Sequence, residues 1–202
     1  LLKVVERESE QAGYRVVFEG GVLVEFLFFP LNSLDQMQDD LPLFFEPGYK
    51  ILVDKDKQAH RLPKAKGKHL TPKAPSIGDF HQLIEQFWLD AYMVAKYLRR
   101  EELWRAKHYD WSLKQLLLKM LGWHAVIVRG REGFTAYEGK KLKEWIDPDT
   151  YIELMAAFGR FYPADSWRAL EITIERFMQA ADEVAKALDT DDRQALKDIF
   201  MP

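Results

Sequence analysis

Three long apolar stripes at helical spacing constrain this chain more than any other feature. Phe80, Leu83, Ile84, Phe87, Trp88, Ala91, Val94, Ala95 and Leu98 recur at i, i+3, i+4 and i+7, which puts them on one helix face that must be buried. Leu113, Leu116, Leu117, Met120, Leu121, His124 and Ile127 share the side of a second helix, reaching about Val128. Trp167, Leu170, Ile174, Phe177, Met178, Ala181, Val184, Ala185 and Leu188 form a third stripe. Such faces satisfy one another by packing together, so the spacing predicts a bundle. Asp147-Pro148, an N-cap with proline at the first helical position, opens a further helix to about Phe158. Pro163 precedes the last long helix, Asp191 starts a short terminal one, and Gly130 stops the second.

The first third reads as β. Tyr14–Phe18 and Val22–Phe29 are rich in β-branched and aromatic residues, and Glu19-Gly20-Gly21 separates them. Glycines supply the positive φ of a tight hairpin turn, and Pro30 ends the second strand because it cannot donate to a ladder. Residues 33–41 suit a short polar helix or loop, and Tyr49–Asp54 a third strand. Residues 55–78 shift to Lys, His, Pro and Gly and connect two halves. The expected fold class is α+β: a small mixed sheet in residues 1–72, then a bundle of four to five helices in residues 73–202.

Composition narrows the function classes. A net charge of −3 over 202 residues gives no whole-protein attraction to nucleic acid or acidic membranes. The absence of cysteine excludes disulfides, thiolate metal sites and a Cys nucleophile, and it suits a reducing cytoplasm. No run reaches the ~18 apolar residues of a membrane span. The chain opens on Leu1-Leu2-Lys3 rather than Met, so an upstream segment is expected.

Glu25 stands at the centre of the apolar run Val22–Pro30. Both faces of that strand are apolar, which predicts cover on both sides and a partly enclosed carboxylate. Its plain reading is an ion pair with Arg15 or Lys50; its functional reading is a metal ligand. Asp54-Lys55-Asp56 has the spacing of paired metal-binding carboxylates and also that of a polar turn. The basic residues between Lys55 and Lys73 lack interleaved aromatics and read as a solvated loop. His124, beside Trp123 on an apolar helix, has no second His at metal spacing. Gly139-Lys140-Lys141 offers a flexible approach and two cations for a triphosphate. No P-loop, dinucleotide fingerprint or nucleophile elbow is present.

Phe87-Trp88, Lys96, Leu98, Arg100, Glu102, Ala106, Leu116–Met120, Trp123-His124, Gly130 and Gly139-Lys140 resemble, in order and spacing, the helical half of the aminoglycoside 6-adenylyltransferases, also called streptomycin adenylyltransferases. Val17–Leu31 followed by Ile51–Lys57 is similar to the end of that family's catalytic sheet. The resemblance spans about residues 14–185. It implies a nucleotidyltransferase domain and a helical bundle with the active site between them, moving AMP from ATP to an aminoglycoside hydroxyl with two Mg²⁺ ions. The implied partners are ATP and a small cationic substrate bearing hydroxyls, not nucleic acid or membrane.

Carried over by position, Glu25 takes the place of the family's third metal-site carboxylate, an Asp there, and is the implied catalytic residue. Lys96 and Lys140 match positions suited to phosphate, and Trp88, Glu102 and His124 the substrate side. The family's Gly-Ser turn and first D-x-D pair have no counterpart in residues 1–21 and are expected upstream of Leu1. The alternatives are a catalytically degenerate relative acting as a binding or regulatory module, and a helical interaction protein.

Overall fold

The computed structural model describes residues 3–6, 13–39, 41–66, 71–134 and 136–190; the helix expected from Asp191 lies outside them. The chain divides into two compact units, Leu1–Lys68 and His69–Pro202. The class is α+β.

In the first unit, β1 (Lys3–Glu6), β2 (Gly13–Val17) and β3 (Leu23–Leu27) form a sheet in that order, with both pairings antiparallel. A mixed sheet was expected; strands joined by such short connections can pair only antiparallel. The hairpin turn takes the form the glycines call for. Gly20 and Gly21 hold φ of +85° and +79°, while Phe18 N–H donates to Val22 O at 2.9 Å. Helix α1 (Ser33–Asp39) follows, and Arg61 ties to its Asp35 and Gln38.

Two expectations for this unit are overturned. Residues 49–54 are not a strand. Tyr49 donates its hydroxyl to Pro63 O at 2.7 Å, and Leu52 and Val53 are exposed. A β-prone composition becomes a strand only where a neighbouring ladder accepts it, and none does so among the described residues. Nor is β3 covered on both sides: Leu23 is 62% exposed and Phe26 43%. Apolar composition records a demand for cover, not what supplies it.

The second unit matches the stripes closely. Helix α2 spans Ile77–Arg99, α3 Leu103–Ile127, α5 Pro148–Ala157 and α6 Pro163–Ala187, with a single turn, α4, at Leu142–Trp145. Phe80, Leu83, Phe87 and Val94 of α2 join Leu113, Leu117 and Met120 of α3 and Phe177 and Val184 of α6 in one buried core. The Phe87 and Phe177 rings stack with centroids 3.5 Å apart. Asp90 is buried in the α2 face, where Gln86 Nε2 (3.0 Å) and the Ser112 hydroxyl of α3 (2.5 Å) donate to its carboxylate. No helix among the described residues is long and apolar enough to cross a membrane.

The helix starts follow from their caps. Asp147 accepts from Thr150 N–H at 3.0 Å to begin α5. Ser76 accepts from Asp79 N–H, and its own N–H and hydroxyl donate to the Asp79 carboxylate, a reciprocal capping box. Those bonds hold Asp79 below the usual carboxylate range. Their stabilisation is therefore complete at neutral pH and lost as pH falls through the folded value. Ser76→Ala is expected to cost about 1 kcal/mol in urea unfolding at pH 7, the usual worth of an N-cap hydroxyl.

Candidate functional site

Glu25 lies at the middle of β3, directly opposite Arg15 in the ladder. Arg15 Nε donates to Glu25 Oε1 at 2.9 Å, and the glutamate side chain is 37% exposed. A pair this wet contributes no more than about 1 kcal/mol. A magnesium site needs several oxygens at fixed positions, and a two-metal site needs acidic side chains shared between the ions. Among the described residues no three acidic or histidine side chains converge to hold a metal. One exposed carboxylate with a guanidinium on it does not fit two Mg²⁺ ions by itself. Asp54 does not help: its Oδ1 accepts Gln58 N–H at 2.9 Å, beside Lys57 at φ +51°, which is turn chemistry.

In the helical unit, Lys96 and Arg105, the hydrogen-bond partner of Glu102, meet over one aromatic ring. Lys96 Nζ lies 5.7 Å from the Tyr97 ring centre, and the Arg105 guanidinium covers the same ring at 4.0 Å. Glu102, the residue before α3, accepts from Arg105 at 3.1 Å. Trp88 is half-buried on α2, edge-on to Phe87.

Near the other end of α3, His124 Nε2 meets Glu183 Oε2 of α6 at 2.8 Å. His124 lines a narrow cleft with Arg129, Trp145 and Asp147. Burial works against ionisation of Asp147, but hydrogen bonds from Thr150 and the charge of Arg129, 3.5 Å away, outweigh it and hold the carboxyl low. The Gly139-Lys140-Lys141 segment differs from the flexible approach expected. Glu138, Gly139 and Lys141 sit at φ of +50°, +69° and +54°. Gly139 N–H donates to Ala136 O, Lys140 N–H to Tyr137 O, and Trp145 Nε1 to Lys140 O at 3.1 Å. The backbone is pinned, while the Lys140 and Lys141 side chains reach solvent.

Comparison with known proteins decides the lineage: a family model described as streptomycin adenylyltransferase matches residues 2–200. The chain belongs to the streptomycin adenylyltransferase family. The aminoglycoside 6-adenylyltransferase of Campylobacter jejuni is 23% identical over 177 residues, 87% of this chain and 60% of that protein. That of Bacillus subtilis (strain 168) is 22% identical over 179 residues, 87% and 61% respectively. The chain thus spans about three fifths of the length of the curated relatives it matches. A crystal structure of an aminoglycoside 6-adenyltransferase from Bacillus subtilis superposes with a TM-score of 0.55 at 17% identity, covering 100% of this chain and 79% of that one. At that identity the likeness shows the fold.

Within this streptomycin adenylyltransferase family chain, the residues singled out by sequence separate into groups. Glu25 stands in the sheet unit, and Lys96 and Glu102 share the α2–α3 turn. Helix α3 is continuous, so Glu102 and His124, 22 positions apart in sequence, stand about 33 Å apart at 1.5 Å per residue. They do not line one small-molecule pocket. Two buried charges were missed, Asp90 and Lys114, at 4% and 5% exposure. The signal was in the stripes: Asp90 falls three residues after Phe87 and Lys114 three before Leu117, both on faces that are otherwise apolar.

Proposed function

We propose that this chain is part of a nucleotidyltransferase that moves AMP from ATP to a hydroxyl of an aminoglycoside such as streptomycin and releases pyrophosphate. The observation that carries this reading is the family match over residues 2–200. In the reaction, the acceptor hydroxyl oxygen bonds to the α-phosphorus as the bond to the pyrophosphate oxygen breaks, and the hydroxyl proton passes to a carboxylate. Glu25 is the carboxylate this chain contributes. Mg²⁺ belongs to the reading, yet the Gly-Ser turn and D-x-D pair that would complete its site have to be supplied from outside these 202 residues. Lys96 and Lys140 offer cations for the phosphates. Trp88, Glu102 and His124 are assigned to the substrate side, and their separation along α3 means that Glu102 and His124 do not both touch one acceptor. The protein acts in the cytoplasm in this reading.

The test uses the full-length gene product with ATP, Mg²⁺ and streptomycin, read by pyrophosphate release. Turnover is expected, and Glu25→Gln is expected to lower kcat/KM by about a hundredfold or more, the scale of a lost proton acceptor. Because the Arg15 pair is exposed, the variant should unfold at nearly the wild-type urea midpoint. Absence of pyrophosphate with streptomycin and every other aminoglycoside tried would sink the activity. A second reading, a degenerate nucleotidyltransferase-like module acting by binding, is favoured by the Arg15–Glu25 pair itself. Its signature is no turnover at all by the full product, whereas turnover with an unaltered rate in Glu25→Gln would remove only the role given to Glu25.

A further inference from the structure

We infer that the helical unit carries a binding site for a small, uncharged heteroaromatic ring, in the cavity formed by α3, α5 and the turn before α4. The cavity measures about 180 Å³. An apolar cavity of about 150 Å³ is enough to hold benzene, so one ring or two fused rings fit here, and a triphosphate or an aminoglycoside does not. Leu117, Leu121 and Leu154 are buried leucines lining it, and Trp111 and Phe158 bring exposed aromatic rings to it.

Of the polar side chains on this wall, Lys114, Gln115 and Glu138, the buried one decides the ligand. Lys114 has a side chain only 4% exposed and lines the cavity. An ammonium carries three donors; among the described residues Lys114 donates to Asp110 Oδ1 at 2.5 Å, and its Nζ lies 5.7 Å from the ring centre of Phe158 on the same wall. Desolvation pulls the Lys114 ammonium below its ordinary value, and Asp110 opposes that pull. A buried ammonium with one hydrogen-bond acceptor has donors left for a second, and a ring nitrogen or carbonyl in the cavity would supply it. Charge sets the rest. Lys107, 4.0 Å from the Asp110 carboxylate, and Lys114 are balanced by Asp110 and by Glu138 on the cavity wall. A neutral ligand keeps that balance.

The wall opposite α3 is built rather than incidental. Glu138 and Gly139 line the cavity in left-handed backbone, a conformation that costs a non-glycine residue free energy and recurs at ligand clamps. Gly139 on its wall adjoins Lys140, which the proposed function assigns to phosphate, but ring binding is read without nucleotidyl transfer, so the two readings fail independently.

The 202-residue chain is titrated with quinoline, which is neutral at pH 7.5 and has an acceptor nitrogen, and with indole, which has none, by calorimetry. Quinoline is expected to bind in the high-micromolar range and more tightly than indole. Leu118→Trp, which fills the cavity, should weaken both ligands by tenfold or more. Lys114→Met should weaken quinoline by about tenfold and leave indole unchanged; each variant is first shown to unfold cooperatively. The inference is overturned by wild-type chain that binds no quinoline up to its solubility, by undiminished binding in Leu118→Trp, or by equal loss of both ligands in Lys114→Met. If Lys114→Met fails to fold, Leu118→Trp decides.

Discussion

Phe87→Ala is expected to lower the stability of the helical unit by about 3–5 kcal/mol, the usual cost of deleting a fully buried phenylalanine. Phe87 has no exposed surface and stacks on Phe177, so its ring is the direct contact between α2 and α6. Removing it forfeits the transfer energy of the ring and leaves a void. Rigid neighbours on three helices can close that void only in part. Urea unfolding followed by helix circular dichroism checks this, with Phe87→Leu as a milder companion that retains most of the volume. A loss under 1 kcal/mol for Phe87→Ala would mean that the α2–α6 packing is not what holds the unit together.

Gly159→Ala is the second large effect, expected at about 1–3 kcal/mol of destabilisation from overpacking. An added Cβ would lie 2.6 Å from the Asp165 carbonyl oxygen and 3.0 Å from Ala169 Cβ. Both are held by α6, which cannot swing aside as a flexible side chain would. The same residue offers its own carbonyl to Lys107 Nζ of α3 at 2.8 Å, so a shift of the loop also disturbs a tie to another helix. The methyl group acts through space rather than through dihedral preference. A lowered urea midpoint with an unchanged denaturant slope is the expected readout; an unchanged midpoint would show that the loop between α5 and α6 yields freely.

The helices were legible because their information is local and periodic: the Phe80-to-Leu98 stripe, the N-cap Asp147 and the first-position proline Pro163 are read from neighbouring positions, while packing of the stripes supplies most of the stability. The hairpin was legible for the same reason. A turn centred on Gly20 sets Arg15 opposite Glu25, which is why their ion pair was among the sequence expectations. Residues 49–54 failed because a strand is a property of two chain segments and only one was in view. Buried charge was half legible. Stripe position marks Asp90 and Lys114 as buried, and i,i+4 spacing pairs Lys114 with Asp110, but the Ser112 hydroxyl reaches Asp90 from another helix, which sequence order does not contain. The proposed site residues rest only on a family pattern, since a role in phosphate or metal binding is fixed by distances that sequence order does not contain.

The exposure of β3 gives its central residue a physical duty that is independent of chemistry. From Val22 to Phe29 the segment is apolar except at Glu25, and among the described residues β3 lies at one end of the strand order. Bare edges of this composition recruit further strands, and a charge placed in their middle is a common safeguard against that. Glu25 therefore places a charge in the middle of that edge, and its cross-strand partner Arg15 holds a second on the same stretch of sheet. Solutions of a chain neutralised at position 25 should accordingly be handled dilute.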